Sequence, residues 1–149
     1  MAATGLSRRA AVALLMMIAA GSPLYGDRAA DIRTQIGTIA TSLALGNASE
    51  ALSPFDKSYA SYEKLSEYFQ GLTAFQIENE VDVTDEEGAE DSAKITIMWT
   101  LTLTDLTTNR TDRRTAEINA RLVMKGGKWK IVEFAPISIF NPLPRKAQR

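Results

Sequence analysis

The spacing of apolar residues changes period once along this chain, near residue 73, and that change restricts it to one architectural class. Before it, Ile32, Ile36, Ile39 and Leu43 recur at intervals of four, three and four, and Tyr62, Leu65, Phe69 and Leu72 at three, four and three. Such intervals gather side chains on one helical face. After it, alternate residues are apolar. Phe75, Ile77, Asn79, Val81 and Val83 alternate with Gln76, Glu78, Glu80 and Asp82, and Ile95, Ile97, Trp99, Leu101 and Leu103 share one face of a second segment. A sheet that is apolar on one face needs a cover there, and the preceding helices are the elements available. The predicted class is α+β, with N-terminal helices packed on a four-stranded antiparallel sheet.

Start and stop signals place the elements. A first helix over residues 27–45 ends at Gly46. A short second helix over 48–55 opens on Asn47 and Glu50, which stand as N-cap and N3, and Pro54 ends it early. A third helix covers 59–71. A third strand over 112–125 sends Ala116, Ile118, Ala120, Leu122 and Met124 to one side, and a fourth over 128–135 stops at Pro136.

Turn lengths predict registers. A two-residue loop at Gly126-Gly127 sets Met124 opposite Trp129, Leu122 opposite Ile131 and Ala120 opposite Glu133. A loop at Thr108-Asn109 sets Leu101 opposite Ala116, Trp99 opposite Ile118 and Ile97 opposite Ala120. Both registers keep the apolar residues on one face, and both bring Glu133 onto that face beside small alanines. The same registers place Met98, Val123, Val132 and Phe134 on the outer face, a patch suited to a homodimer interface. The alternative is that Ile137, Ile139 and Phe140 fold back and cover this patch within one chain.

The first 26 residues read as a secretory signal. Arg8 and Arg9 precede an apolar run of 11 residues, too short for a spanning helix, which needs roughly 17 to 25 apolar residues. Cleavage after Gly21 and cleavage after Gly26 both leave small residues at the cut. Ser7-Arg8-Arg9 also fits a twin-arginine signal, without the residues that usually follow one. The domain then covers 27–142, followed by a disordered basic tail over 143–149. An exported protein, periplasmic or extracellular, with no stable membrane span after signal removal, is the expectation.

Composition removes several chemistries. The whole chain has 17 basic and 18 acidic residues; losing Arg8 and Arg9 with the signal leaves 15 against 18, a balance that disfavours nucleic acid as a partner. There is no cysteine and no histidine, so disulfides, thiolate sites, histidine-based triads and most zinc sites are excluded. No cofactor and no metal is expected. The acidic stretch at 82–92 lacks the alternating ligand spacing of a calcium loop and reads as a solvated hairpin tip. Asn47-Ala48-Ser49 and Asn109-Arg110-Thr111 match the glycosylation pattern, which matters only in a eukaryotic secretory route.

The order of elements, with the stretches "GNASEALSPFD" and "GKWKIVEF", resembles the nuclear transport factor 2-like, or SnoaL-like, superfamily over residues 27–142. The resemblance implies a strongly curved sheet closed by the helical segment into a cone-like, cystatin-like architecture with a pocket. Trp99, Ile97, Ile118, Ala120, Glu133, Tyr62 and Phe55 are the expected pocket lining. Such a fold hosts enzymes and binding modules alike. The leading reading is a non-enzymatic ligand-binding or accessory module that takes a small apolar molecule. The alternative is an isomerase or dehydratase with Glu133 as general base and Tyr59 and Asp56 at the same mouth. Against it, Glu133 can sit at the rim or pair with Arg33 or Lys64. A second alternative is an interaction module working through the outer sheet face.

Overall fold

The structure is a computed structural model that describes residues 26–142. The signal expected over 1–26, apart from Gly26, and the tail expected over 143–149 lie outside the described residues. Helices α1 (Gly26–Ala44), α2 (Ala48–Leu52) and α3 (Tyr62–Leu72) precede strands β1 (Phe75–Gly88), β2 (Ser92–Asp105), β3 (Arg110–Lys125) and β4 (Lys128–Ala135), and a 3-10 turn (Ser138–Phe140) follows. The strands form one antiparallel sheet in the order β1-β2-β3-β4, the α+β arrangement that the change of period predicts.

One face of α1 is buried through Ile32, Ile36, Ile39 and Leu43, and one face of α3 through Leu65, Phe69 and Leu72. The Asn47 side chain caps α2 by accepting the backbone N–H of Glu50 at 3.0 Å. α2 ends before residue 55, and α3 starts later than residue 59. Between them Tyr59 N–H donates to the Asp56 carbonyl and Tyr62 N–H to the Tyr59 carbonyl, each at 3.0 Å, so this stretch is spent on turns. Asn79 joins helix to sheet. Its Nδ2 donates to the Ala40 carbonyl at 2.8 Å while its Oδ1 accepts from Trp99 Nε1 at 2.9 Å, so the polar atom of an otherwise buried indole is satisfied.

The strands depart from the predicted layout in three places, two of them in register and one at the expected hairpin tip. Between β2 and β3 the strands pair as far as Asp105 and Arg110, so the loop is four residues long and the register moves by two. Asp105 starts the turn itself, its Oδ1 accepting from Thr107 N–H at 2.9 Å. Trp99 therefore faces Ala116 and Ile97 faces Ile118, with every side chain still on its predicted face. Between β1 and β2 a bulge at Thr84 shifts the register and pairing runs on to Gly88. Asp85, Glu86 and Glu87 are thus strand residues, not part of a hairpin tip.

The third departure decides the site. β3 and β4 pair as predicted at Met124/Trp129 and Leu122/Ile131, around a loop whose Gly126 and Gly127 both have positive φ, 57° and 81°. Beyond Ile131 the register breaks, so Glu133 pairs with Arg121 and Phe134 with Ala120. Val132 is the extra residue. It turns Glu133 outward and Phe134 inward, the reverse of the alternation prediction.

After Pro136 the chain returns across the inner side of the sheet, not over the outer face. Ile139 and Phe140 are buried, and Pro142 lies so close to Gly71 of α3 that a Cβ there would come within 2.5 Å of the Pro142 Cγ.

Candidate functional site

The centre of the domain is a cluster of aromatic rings. Phe134 meets Phe55 edge-on at 5.1 Å between ring centroids and Trp99 edge-on at 6.2 Å. Phe140 meets Trp99 edge-on at 5.3 Å and Phe69 at 5.5 Å, and stacks on Phe134 at 6.0 Å. Edge-to-face geometry at these separations is the favourable arrangement for aromatic side chains. Of the side chains expected to line a pocket, Trp99, Ile97, Ile118, Ala120 and Phe55 all point inward and are buried, and Tyr62 is half-buried against them. They belong to one buried cluster with the rings of Phe134 and Phe140. The sequence reading placed Phe134 outside and left Phe140 in a covering tail. The inward spacing of Ile131 and Phe134, three residues apart with a glutamate between, was the available signal.

Glu133 is not in this interior. It lies on the outer face, where its Oε2 accepts from Arg121 Nη2 at 3.2 Å, and its side chain is 64% exposed. The carboxylate is solvated and paired with a cation, not enclosed among apolar side chains. Neither Arg33 nor Lys64 is its partner: Arg33 pairs with Glu86, and Lys64 sits over the Tyr68 ring.

The two other candidates for proton transfer are committed elsewhere. Asp56 accepts from the Ser58 hydroxyl, from Ser58 N–H at 3.0 Å and from Lys125 Nζ at 3.1 Å. The Ser58 hydroxyl, its N–H and the lysine together hold the Asp56 pKa at about 2, so it is a fixed carboxylate tying the α2–α3 connection to the β3–β4 hairpin. Tyr59 is buried, and its hydroxyl donates to the Phe134 carbonyl; burial pushes its pKa up. Asp56, Tyr59 and Glu133 do not converge on one mouth.

Two charged groups do face inward, and neither was picked out by alternation. The bulge at Thr84 turns Glu86 toward α1, where Arg33 Nη2 stands 3.0 Å from its Oε2, with side chains 11% and 18% exposed. The contact is a charge pair without hydrogen-bond alignment, and Arg33 Nε and Nη1 are likewise buried with no hydrogen-bond partner. Burial raises the Glu86 pKa while Arg33 opposes the rise. Arg114 on β3 is 4% exposed. Its Nε donates to Asp112 at 2.8 Å, and its Nη1 donates to the carbonyls of Ile139 (2.9 Å) and Asn141.

The outer face carries a polar ladder with apolar islands. Thr100 and Thr115 hydroxyls are 3.2 Å apart, and Thr96 Oγ1 donates to Asn119 Oδ1 at 3.2 Å. Among these stand Met98, which is 37% exposed, and the half-buried Val123 and Val132. The β1 edge of this face bears Glu78, Glu80 and Asp82, while the β4 edge bears Lys128 and Lys130. Among the described residues, no three histidine, cysteine, aspartate or glutamate side chains gather to hold a metal ion, and no helix is long and apolar enough to cross a membrane.

No protein-family model matches the sequence, and no curated protein does. Solved structures do match. A nuclear transport factor 2-like superfamily protein from Salmonella enterica is 15% identical, with a TM-score of 0.57, over 70% of this chain and 85% of that one. A proposed scytalone dehydratase from Novosphingobium aromaticivorans is 11% identical, with a TM-score of 0.64, over 72% and 80%. A proposed calcium/calmodulin-dependent protein kinase II association domain from Xanthomonas campestris is 21% identical, with a TM-score of 0.55, over 69% and 81%. The fold is therefore that of the nuclear transport factor 2-like proteins: three helices packed on an open four-stranded antiparallel sheet.

Proposed function

We propose that this protein is a non-enzymatic accessory module that works through the outer face of its sheet, as a homodimer. The observation that carries the reading is that no described residue covers the outer face: Ile139 and Phe140, which could have covered it, are seated on the inner side, and Met98 is exposed at its middle. Catalysis finds no support in the polar groups, since Glu133 is solvated, Asp56 is fixed as a carboxylate, and the Tyr59 hydroxyl is bound to a backbone carbonyl.

The charge layout favours a copy of the same chain as partner. A two-fold axis along the strands lays each acidic β1 edge over the basic β4 edge of the other copy, with Met98, Val123 and Val132 between them. The likeness to a kinase association domain adds support of a general kind, because that protein shares the fold and is named for association. Export to the periplasm or the cell exterior fits the N-terminal sequence and is part of the same proposal.

Size-exclusion chromatography with light scattering tests the reading. A dimer at micromolar concentration is expected, with conversion to a folded monomer on Met98→Asp or Val132→Asp. A wild-type chain that stays monomeric up to about a hundred micromolar, on the order of the weakest specific contacts, would overturn it.

A further inference from the structure

We propose that the free edge of β1 is a docking site for an extended segment of another protein, one with Lys or Arg at every second position and apolar residues between them, which adds to the sheet as a fifth strand. The backbone supplies the template. The sheet ends at β1, whose 14 residues pair with β2 on one side, and among the described residues no backbone group bonds to residues 75–87 from the other side. The β4 edge differs. There Ile131 N–H donates to the Pro54 carbonyl and the Ile131 carbonyl accepts from Asp56 N–H, each at 2.9 Å, so the α2–α3 connection covers the middle of that edge. An open edge offers main-chain hydrogen bonds for affinity and alternate side chains for selection.

The side chains of β1 define what can pair there. On the outer side Glu78, Glu80 and Asp82 stand in one exposed column, spaced by about 7 Å along the strand. Arg113 Nη2 lies 3.9 Å from Glu80, and among the described residues no ion pair reaches Glu78 or Asp82. On the inner side Phe75 and Val81 are only half-buried, whereas Trp99 and Leu101 on β2 are fully buried, so apolar surface is left uncovered at this edge. A second copy of β1 is a poor occupant, because antiparallel pairing of two such edges sets carboxylate columns side by side. A wholly apolar strand desolvates the carboxylates without compensating them. A strand that alternates basic and apolar residues satisfies both sides at once, so the charges that keep copies apart also select the partner. The inference does not rest on the outer-face homodimer: failure of the dimer would change the mass and leave strand addition intact, and the reverse holds equally.

Amide hydrogen exchange and NMR titration of the full chain, in wild type and in Met98→Asp, test the proposal with the peptide acetyl-Lys-Val-Lys-Val-Lys-Val-Lys-amide as probe. Saturating probe is expected to slow exchange of alternate amides within residues 76–82 at least tenfold, while the amides of β3 keep their rates. Two control peptides separate strand addition from charge attraction. The counterpart with Glu in place of Lys, and the block isomer acetyl-Lys-Lys-Lys-Lys-Val-Val-Val-amide, should each bind at least tenfold more weakly and leave those amides unprotected. Glu78→Lys combined with Asp82→Lys, both at exposed positions, should reverse the preference between the lysine and glutamate peptides. The proposal is overturned if about 1 mM probe leaves exchange at residues 76–82 unchanged, if the block isomer protects them as well as the alternating one, or if the double variant still prefers the lysine peptide. It is also overturned if all amides of 76–82 exchange as slowly as those of β3 before any probe is added, since the edge is then already covered.

Discussion

Ile131 and Phe134 point to the same side of the sheet although they stand three positions apart, and the extra residue between them, Val132, is a bulge in β4. Strict alternation would have buried Glu133 and exposed Phe134. Burying a phenylalanine side chain is worth about 1.5–3 kcal/mol, whereas an unpaired carboxylate in the interior costs several kcal/mol. A bulge gives up roughly one ladder hydrogen bond, about 0.5–1.5 kcal/mol net. The bulge wins, and with it the site moves from a carboxylate pocket to an aromatic core.

Phe134 and Glu133 should therefore respond oppositely to substitution. Phe134→Ala is expected to lose about 3–5 kcal/mol, the range for a buried aromatic truncated in a close-packed interior. Glu133→Gln should change stability by less than about 0.5–1 kcal/mol, because the exposed pair with Arg121 is screened by solvent. Urea denaturation of both variants makes the comparison. Equal midpoints would place Phe134 back on the surface.

The helical spacing of α1 and α3 and the alternation of β2 and β3 were enough to fix fold class and inward faces, because periodicity alone determines which side chains share a surface. Register was less legible. A slip of two residues at the β2–β3 loop leaves the apolar faces unchanged, so nothing in the pattern opposes it; the capacity of Asp105 to accept turn N–H groups was the deciding signal. The bulges at Thr84 and Val132 were invisible to strict alternation, although each is marked by a residue that the opposite face rejects: Phe134 in one case and, in the other, a glutamate that finds Arg33 inside. Arg114 escaped notice because its partners are backbone carbonyls from a segment with no periodicity.

The pair of Arg33 and Glu86 should show strong coupling. Removing one partner leaves a nearly buried charge uncompensated, so Arg33→Met and Glu86→Leu are each expected to destabilise by about 2–4 kcal/mol, somewhat below a fully buried pair. The double variant should be less destabilised than the sum of the two by about 1–3 kcal/mol. The folded-state pKa of Glu86 is raised, so the native state holds this proton more tightly than the unfolded chain does. Its contribution therefore falls as pH rises from the ordinary glutamate range through the raised value. Thermal denaturation across that range should show the decline in wild type and not in Glu86→Gln.

Asp56 has the opposite sign. Its folded pKa lies at about 2, below the ordinary 3.8, so its contribution is present in full above the unfolded value and is lost as pH falls from about 4 toward 2. Asp56→Asn should lower stability at neutral pH and flatten that part of the acid dependence, leaving the slope of the neutral and alkaline limbs unchanged. An acid limb identical to wild type would show that the bonds from Ser58 and Lys125 do not persist in solution.

Gly71 gives a direct handle on the C-terminal segment. An alanine within a helix is favoured over glycine by about 0.8–1 kcal/mol, but its Cβ would stand 2.5 Å from Pro142 Cγ, a distance at which one of the two must move. A proline ring cannot swing aside as a long side chain does, so the segment carrying it must shift. If that segment is anchored as weakly as its side-chain ties suggest, the helical gain offsets the displacement. Gly71→Ala then changes overall stability by less than about 1 kcal/mol while amide exchange in residues 138–141 rises. If the segment is as firmly held as a strand, the clash passes into α3, and the variant loses stability with no selective change in those amides.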